Sequence, residues 1–161
     1  MTPQSSTTKI TDIDHGFLRI RRELKKMNEV YVKVGILSDA GTYPENQGNQ
    51  NLADVAIANE YGTETIPPRP FMRQSFDKNQ SEIVDFEEKQ KSQIFLGEIS
   101  TEKALDTLGV FFKGKIQEEF VEGKFAKNAP VTIARKGSSQ PLIDTGRLRQ
   151  SIDHQVETKK E

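Results

Sequence analysis

The sequence contains no cysteine and only two histidines, His15 and His154. The lack of cysteine excludes disulfides, thiolate zinc sites, iron–sulfur clusters and cysteine nucleophiles. Neither histidine has a second ligand at a spacing typical of metal sites. We therefore predict no metal, no cofactor and no enzymatic activity.

Excess charge of either sign and apolar content are also low. The chain has 23 Lys and Arg against 24 Asp and Glu, for a net charge of -1. Because counterion release on nucleic acid needs a basic surface, we expect at most weak, non-specific contact with DNA. Hydrophobic residues make up 34% of 161 residues, which predicts one domain with a thin core. We expect neighbouring subunits to cover part of its apolar surface.

No run of about 18 apolar residues is present, so no membrane-spanning segment is predicted. The first eight residues are polar, without a basic cluster or an apolar core, which predicts no secretion signal. We expect a soluble protein made in the cytoplasm. Residues 1–10 are predicted to be a flexible tail, residues 11–157 a single domain, and residues 158–161 a C-terminal tail.

Apolar residues recur at helical spacing in two segments. A cap at Thr11, Asp12 or Asp14 would begin the first helix, and a cap at Ser100 or Thr101 the second, which ends at Gly123. The first stripe is Ile13, Phe17, Ile20, Leu24 and Met27, and the second is Leu105, Leu108, Phe112, Ile116 and Phe120.

Between these helices the pattern is more broken. Residues 52–61 predict a short helix that stops at Gly62. Three prolines then force an extended path, and Pro70 is placed to open a further helix, which the pattern predicts to continue to about Ile94.

Two segments predict strands. Val30, Val32, Val34 and Ile36 are β-branched and alternate with other residues, and residues 151–156 alternate more weakly. Residues 38–51 and 124–143 are expected to be irregular, and residues 144–150 to form a helical turn. The predicted fold class is α+β: a single small domain, with helices packed on a small, mostly antiparallel sheet and long loops.

Two motifs are similar to enzyme signatures. Residues 109–116 nearly match a phosphate-binding loop, but Ile116 stands where that loop needs a hydroxyl to hold magnesium. Their position inside a helical stripe favours a helix with two glycines at which another helix packs closely. The loop of residues 135–139 has two cations that can contact a phosphate, but its composition is typical of a solvated basic loop.

The second motif is Asp144-Thr145-Gly146, which resembles the catalytic turn of aspartic proteases. Two subunits would each have to supply one aspartate. With 15 residues after Gly146, little chain remains for the barrel of such an enzyme. The favoured interpretation is that Asp144 is an N-cap for the following turn.

Three stretches occur in an order that resembles a known family. They are VKVGI at 32–36, AIANEYG at 56–62 with PPRPFMR at 67–73, and KGSSQPLIDTGRLRQSI at 136–152. This order is similar to that of the tail-completion, or neck, proteins of long-tailed bacteriophages, which include minor tail and virion-morphogenesis proteins. The resemblance covers roughly residues 30 to 156. The loop of residues 38–51 looks longer than the usual connection in that family.

The resemblance implies a structural virion protein without catalysis, assembled in the host cytoplasm and located at the head–tail junction. Such proteins form rings, commonly of six subunits, and meet head-connector or head-closure proteins on one side and tail-terminator, tube or sheath proteins on the other. Tail termination or head closure at the same junction is the first alternative. A different structural or adaptor module, and a protease or nuclease, remain further alternatives.

The residues of the family motif are expected to form the assembly interface. Arg69 and Arg73 would pair with acids on an adjacent subunit, and Phe71 would lie either in that interface or in the core. Arg147 and Arg149 would meet acidic partners or passing DNA. The full set is Asn59, Glu60, Tyr61, Gly62, Pro67, Pro68, Arg69, Pro70, Phe71, Arg73, Lys136, Asp144, Thr145, Gly146, Arg147, Leu148 and Arg149.

Overall fold

The computed structural model describes residues 14–159. It has an α+β fold, as predicted, with seven helices and one two-stranded antiparallel sheet in that range. The elements in chain order are α1 (Phe17–Glu29), β1 (Val30–Ile36), α2 (Leu52–Tyr61), α3 (Phe71–Lys78), α4 (Gln80–Leu96), α5 (Thr101–Glu122), α6 (Pro130–Lys136), α7 (Arg147–Gln150) and β2 (Ile152–Thr158).

The sheet joins the segment that follows α1 to the last element of the described chain. Val30 pairs with Thr158 and Ile36 with Ile152, so every residue of β1 has a partner in β2. Both predicted strands are thus confirmed, and β2 continues through Thr158, one residue beyond the predicted domain boundary.

The long helix α5 packs against both strands and against α3 and α4. Its Phe120 is fully buried, and its ring lies 4.5 Å from that of Phe71 at the start of α3. The core gathers one or two residues from most elements rather than a full face of each. Its buried members are Leu52, Ala56, Phe71, Ile116, Phe120, Leu148 and Ile152.

The glycines predicted inside α5 have different surroundings. A Cβ on Gly109 would lie 2.4 Å from Cδ2 of His154, whereas a Cβ on Gly114 would meet nothing within 4 Å. Close packing at a glycine is therefore confirmed at Gly109, but the neighbour is β2 rather than a helix. His154 Nε2 lies 3.0 Å from Asp106 Oδ1 on the same helix.

The first helix is held to the rest of the fold by polar contacts, two of them made by Arg19 and one by Glu23. Glu23 is buried, and its carboxylate accepts a hydrogen bond from the backbone N–H of Thr101 at 2.8 Å. Arg19 donates to the carbonyls of Ile94 and Phe95 at the end of α4, each at 2.9 Å. These contacts satisfy backbone groups at helix ends that have no partner within the helix.

The predicted start of α1 needs a correction. Asp14 accepts from the N–H of Leu18 at 3.2 Å, but the residue before the helix is Gly16. The other two proposed caps, Thr11 and Asp12, and the first residue of the stripe, Ile13, lie outside the described residues. Phe17 is 68% exposed, so the apolar face of this helix is partly uncovered.

The helix predicted from Pro70 to about Ile94 is interrupted. Asn79 separates α3 from α4, and its side-chain amide donates to the carbonyl of Ser75 at 2.7 Å. A buried asparagine that bonds to the preceding turn competes with the backbone ladder, which explains the break.

Two further predictions on the C-terminal third were wrong. Residues 124–143 are not entirely irregular, because α6 begins at Pro130 and ends before Gly137, whose φ is 68°. Asp144 is not an N-cap, because α7 begins at Arg147 after Gly146, whose φ is 78°. The left-handed conformation at Gly146 starts the helix two residues later than a cap at Asp144 requires.

Candidate functional site

The turn between α2 and α3 lies in the second of the three stretches described above, residues 56–73. Gly62 ends α2 with φ 80° and ψ 172°, a combination that is essentially limited to glycine. A Cβ at this position would lie 3.0 Å from the carbonyl oxygen of Ile66 and from the nitrogen of Pro68. The N–H of Arg69 donates to the carbonyl of Asn59 at 2.6 Å and closes the turn.

Glu60 joins the two helices from inside. Its carboxylate is buried and accepts from the backbone N–H groups of Met72 and Arg73 at 3.0 and 3.2 Å. These are free donors in the first turn of α3, so Glu60 acts as a cap supplied by the preceding helix. Arg73 also pairs with Glu60 at 3.0 Å and lies 4.9 Å from the ring centroid of Tyr61.

Arg69 points into the protein rather than out of it. It is 6% exposed, and its guanidinium donates to the carbonyls of Ala126 and Lys127 and to the side-chain oxygens of Asn59 and Asn128, at 2.8 to 3.3 Å. Burial lowers the pKa of Arg69. The guanidinium thereby ties the turn to the segment between α5 and α6.

The third of these stretches, residues 136–152, packs beside this turn. Leu148 on α7 is buried in the core. Arg149 donates to the carbonyl of Gln117 at 2.9 Å, and Gln117 donates back to the carbonyl of Arg149 at 3.2 Å. Lys136, at the end of α6, donates to the carbonyl of Gln140 and holds the following loop.

A cavity of about 310 Å³ lies where these segments meet. Its charged residues are Arg69, Arg135, Lys136 and Asp144, and its polar residues include Tyr43 and Asn59. Burial raises the pKa of Tyr43, and the charge of Asp144 acts in the same direction. Burial lowers the pKa of Lys136; the charge of Asp144 opposes that shift, and Arg69 adds to it. The cavity wall therefore carries three cations, Arg69, Arg135 and Lys136, and one carboxylate, that of Asp144.

The expected interface residues divide into three groups according to their exposure. Glu60, Arg69, Phe71 and Leu148 are buried within the chain, so they are not available to contact a neighbour in this conformation. For Phe71 this decides between the two interpretations in favour of the core. The exposed members are Tyr61, Pro67, Pro68, Arg73, Asp144, Thr145 and Arg147, and those of intermediate exposure are Asn59, Gly62, Pro70, Lys136, Gly146 and Arg149.

The predicted pairing of Arg69 with an acid of an adjacent subunit needs correction because Arg69 is buried, whereas Arg73 is exposed and its contact with a neighbour stays a prediction. Arg69 binds neutral oxygens of its own chain, and Arg73 pairs with Glu60 of its own chain. Both arginines of this turn therefore have hydrogen-bond partners within the chain, because the segments that carry these partners pack against the turn.

Sequence reasoning did not assign Tyr43 or Asn128, which line the cavity, and it interpreted Arg135, also on the wall, as part of a solvated basic loop that can contact a phosphate. Tyr43 lies in the polar loop of residues 38–51, where a single aromatic was the available signal. Asn128 and Arg135 belong to the segment that was predicted to be irregular throughout, so nothing in the pattern placed them near Arg69.

Among residues 14–159, no group of three or more histidine, aspartate or glutamate side chains is arranged to hold a metal ion. Within the same range, no helix combines the length and the apolar character needed to cross a membrane. The chain matches no protein-family model, no curated protein and no solved structure.

Proposed function

We propose that the chain is a structural protein of the bacteriophage neck, a subunit of a ring at the head–tail junction that completes the tail and joins it to the head connector. Tail termination and head closure at the same junction are the alternatives within this proposal. The ring would assemble in the host cytoplasm and remain in the virion.

The observation that carries the proposal is that the three stretches of the resemblance form one continuous unit. Val34 and Ile36 of the first stretch pack against the same core as Phe71 of the second and Leu148 of the third. Asn59, Arg69, Lys136 and Asp144 line the same cavity. Motifs separated by more than 60 residues in the chain thus belong to one scaffold, as expected if the ordered motif reflects a shared fold.

The distribution of apolar side chains supports a protein that works in an assembly. Among residues 14–159, twelve large hydrophobic residues are exposed, against ten hydrophobic residues that are buried. Scattered exposed apolar residues are normal on a monomer, but a subunit ring offers a means of covering many of them. The exposed set is Phe17, Leu18, Leu24, Ile57, Tyr61, Phe76, Val84, Phe95, Leu96, Val110, Val121 and Val131.

The sheet provides a second route to assembly. In the described part of the chain, β1 and β2 pair with each other alone, so each strand has one edge without a strand partner. An open edge can accept a strand from another chain. A neighbour can contact the exposed apolar side chains and the open strand edges without any rearrangement of the core.

The experiment is to image the purified protein by negative stain and to measure its mass by light scattering, alone and with purified tail tubes and connectors. We expect rings that bind one end of the tail and also the connector. Binding to tails alone would favour a terminator, and binding to connectors alone a head-closure protein. Failure to bind either would refute the proposal.

A matched pair of variants tests whether the exposed part of the motif forms the interface. Arg147→Glu reverses a charge on an exposed residue of α7 and should weaken ring formation. Arg21→Glu makes the same change on an exposed residue of α1, outside the motif, and should leave the rings intact. Normal rings with both variants would remove α7 from the interface.

A further inference from the structure

The cavity beside Arg69 contains a buried cation that has no carboxylate partner. Four of the five guanidinium N–H groups have hydrogen bonds, and all four acceptors are neutral carbonyl or amide oxygens. Among residues 14–159, no Asp or Glu forms an ion pair with Arg69, in contrast to Arg73, which pairs with Glu60. A buried charge that lacks a counter-charge is costly, so a site of this kind favours the arrival of an anion.

Lys136 and Arg135 add two further cations to the same cavity, and Lys136 is the less exposed of the two. Its ammonium group has three N–H donors, and the one hydrogen bond it makes within the described chain goes to the carbonyl of Gln140. Lys136 forms no ion pair with a carboxylate of residues 14–159, although Asp144 is close enough to affect it. Two donors of Lys136 and one of Arg69 are therefore available to an incoming oxyanion.

The rest of the wall limits the kind of anion. Apolar side chains, including Val55, Ile66 and Leu148, line the cavity together with the cations. They can cover the methylene groups of a side chain while its charged end reaches Lys136. Asp144 on the same wall offsets one of the positive charges, so the apolar part of the wall is what favours a carboxylate on a side chain over a free phosphate.

We propose that this cavity binds the carboxylate of a glutamate or aspartate side chain on an acidic peptide segment of a partner chain. Lys136 makes the direct contact, and Arg69, fixed by its four hydrogen bonds, supplies further positive potential and one hydrogen bond. The partner's identity rests on the proposed function, in which the segment comes from a neighbouring subunit or an adjoining neck protein. The site chemistry is independent of that assignment.

The test is fluorescence anisotropy of a fluorescein-labelled tetraglutamate peptide titrated with the full chain. A labelled tetraglutamine peptide is the neutral control, and inorganic phosphate is the competitor. We expect binding of tetraglutamate, no binding of tetraglutamine, and little displacement by phosphate. Absence of tetraglutamate binding, or displacement by phosphate at the same concentration as by free tetraglutamate, would overturn the carboxylate site.

Two variants locate the binding. Lys136→Gln removes the contact and should weaken tetraglutamate binding by at least about tenfold, since a hydrogen bond to a charged group is lost. Lys124→Gln makes the same change at an exposed residue outside the cavity and should weaken binding by less than about threefold. Unfolding midpoints confirm that both variants are folded. Equal weakening by the two variants would show binding by surface charge in general and would refute the proposal.

Sedimentation of the wild type and of Lys136→Gln distinguishes the sources of the carboxylate. Self-association that the substitution abolishes supports the site with a second copy as the source. Peptide binding without any effect on self-association supports the site with a different chain as the source. Failure of the peptide assay would refute the carboxylate site, but it would not affect the neck proposal, which is tested with tails and connectors. Failure to bind tails would refute the neck proposal, but it would not affect the carboxylate site.

Discussion

At the scale of single residues, the fold depends on charged side chains that are buried and form hydrogen bonds within the chain. Arg69 and Glu60 are separated by nine positions and hold the same turn from two sides. Arg69 ties it to the segment before α6, and Glu60 caps α3. Both residues would ordinarily be assigned to the surface, so their substitution is informative.

We predict that Arg69→Glu lowers the free energy of unfolding by about 3 kcal/mol or more, because it places a buried carboxylate against carbonyl oxygens and removes four hydrogen bonds. Urea unfolding measures the change. Arg147→Glu, at an exposed residue, is the matched control and should stay within about 0.5 kcal/mol of the wild type. An unchanged unfolding midpoint for Arg69→Glu would mean that Arg69 faces solvent.

Glu60→Ala should destabilise the protein by about 2 to 3 kcal/mol, because two N–H groups of α3 lose a charged acceptor. Thermal and urea unfolding both report this loss. Glu64→Ala, four residues later and exposed, removes the same charge and should have an effect of less than about 0.5 kcal/mol. Similar losses for the two variants would contradict the capping role.

At the scale of elements, the contact of α5 with β2 depends on a missing side chain. We predict that Gly109→Ala destabilises by about 1 to 3 kcal/mol, because the new Cβ would overlap the imidazole of His154. Gly114→Ala, in the same helix but with open space around it, should stabilise by about 0.5 to 1 kcal/mol through helix propensity. Calorimetric midpoints of the two variants should therefore move in opposite directions. A stabilising Gly109→Ala would show that β2 does not lie against this part of α5.

The contact between α1 and α5 should make stability depend on pH in acid. The hydrogen bond from the Thr101 N–H is the main cause that lowers the pKa of Glu23, and burial acts against it. A lowered pKa in the folded state stabilises the protein above the unfolded value of 4.5, and this contribution is lost as the pH falls through the folded value. Glu23→Gln should therefore be less stable than the wild type at neutral pH, and the difference should shrink below about pH 4.5.

Urea midpoints measured between neutral pH and about pH 3 check this expectation. Glu29→Gln, at an exposed position at the end of the same helix, removes a carboxylate that does not bond to Thr101 and serves as the control. A difference between Glu23→Gln and the wild type that stays constant through the acid range would contradict the assigned contact.

At the scale of the whole molecule, the strands and the long helices were predictable because their patterns are local. Val30, Val32, Val34 and Ile36 alternate, and the stripe from Leu105 to Phe120 keeps helical spacing over four turns. Helix α6 was missed because it has seven residues, none of them buried, and so carries no apolar stripe. Its proline at the start and glycine after the end were the available signals.

The candidate site was less predictable, because its partners come from distant parts of the chain. The inward direction of Arg69 depends on carbonyls 57 and 58 residues away. The position of Asp144 depends on Gly146 and on the burial of Leu148, which together decide where α7 begins. No local pattern specifies these contacts.

The proposal for the whole molecule is a subunit that completes its buried surface in a ring. The measurement that tests it most directly is electron microscopy of lysates from a phage whose gene for this chain is deleted. We predict filled heads and separate tails that fail to join, with joining restored when the purified protein is added. Normally joined particles in the absence of the protein would contradict a role in the neck.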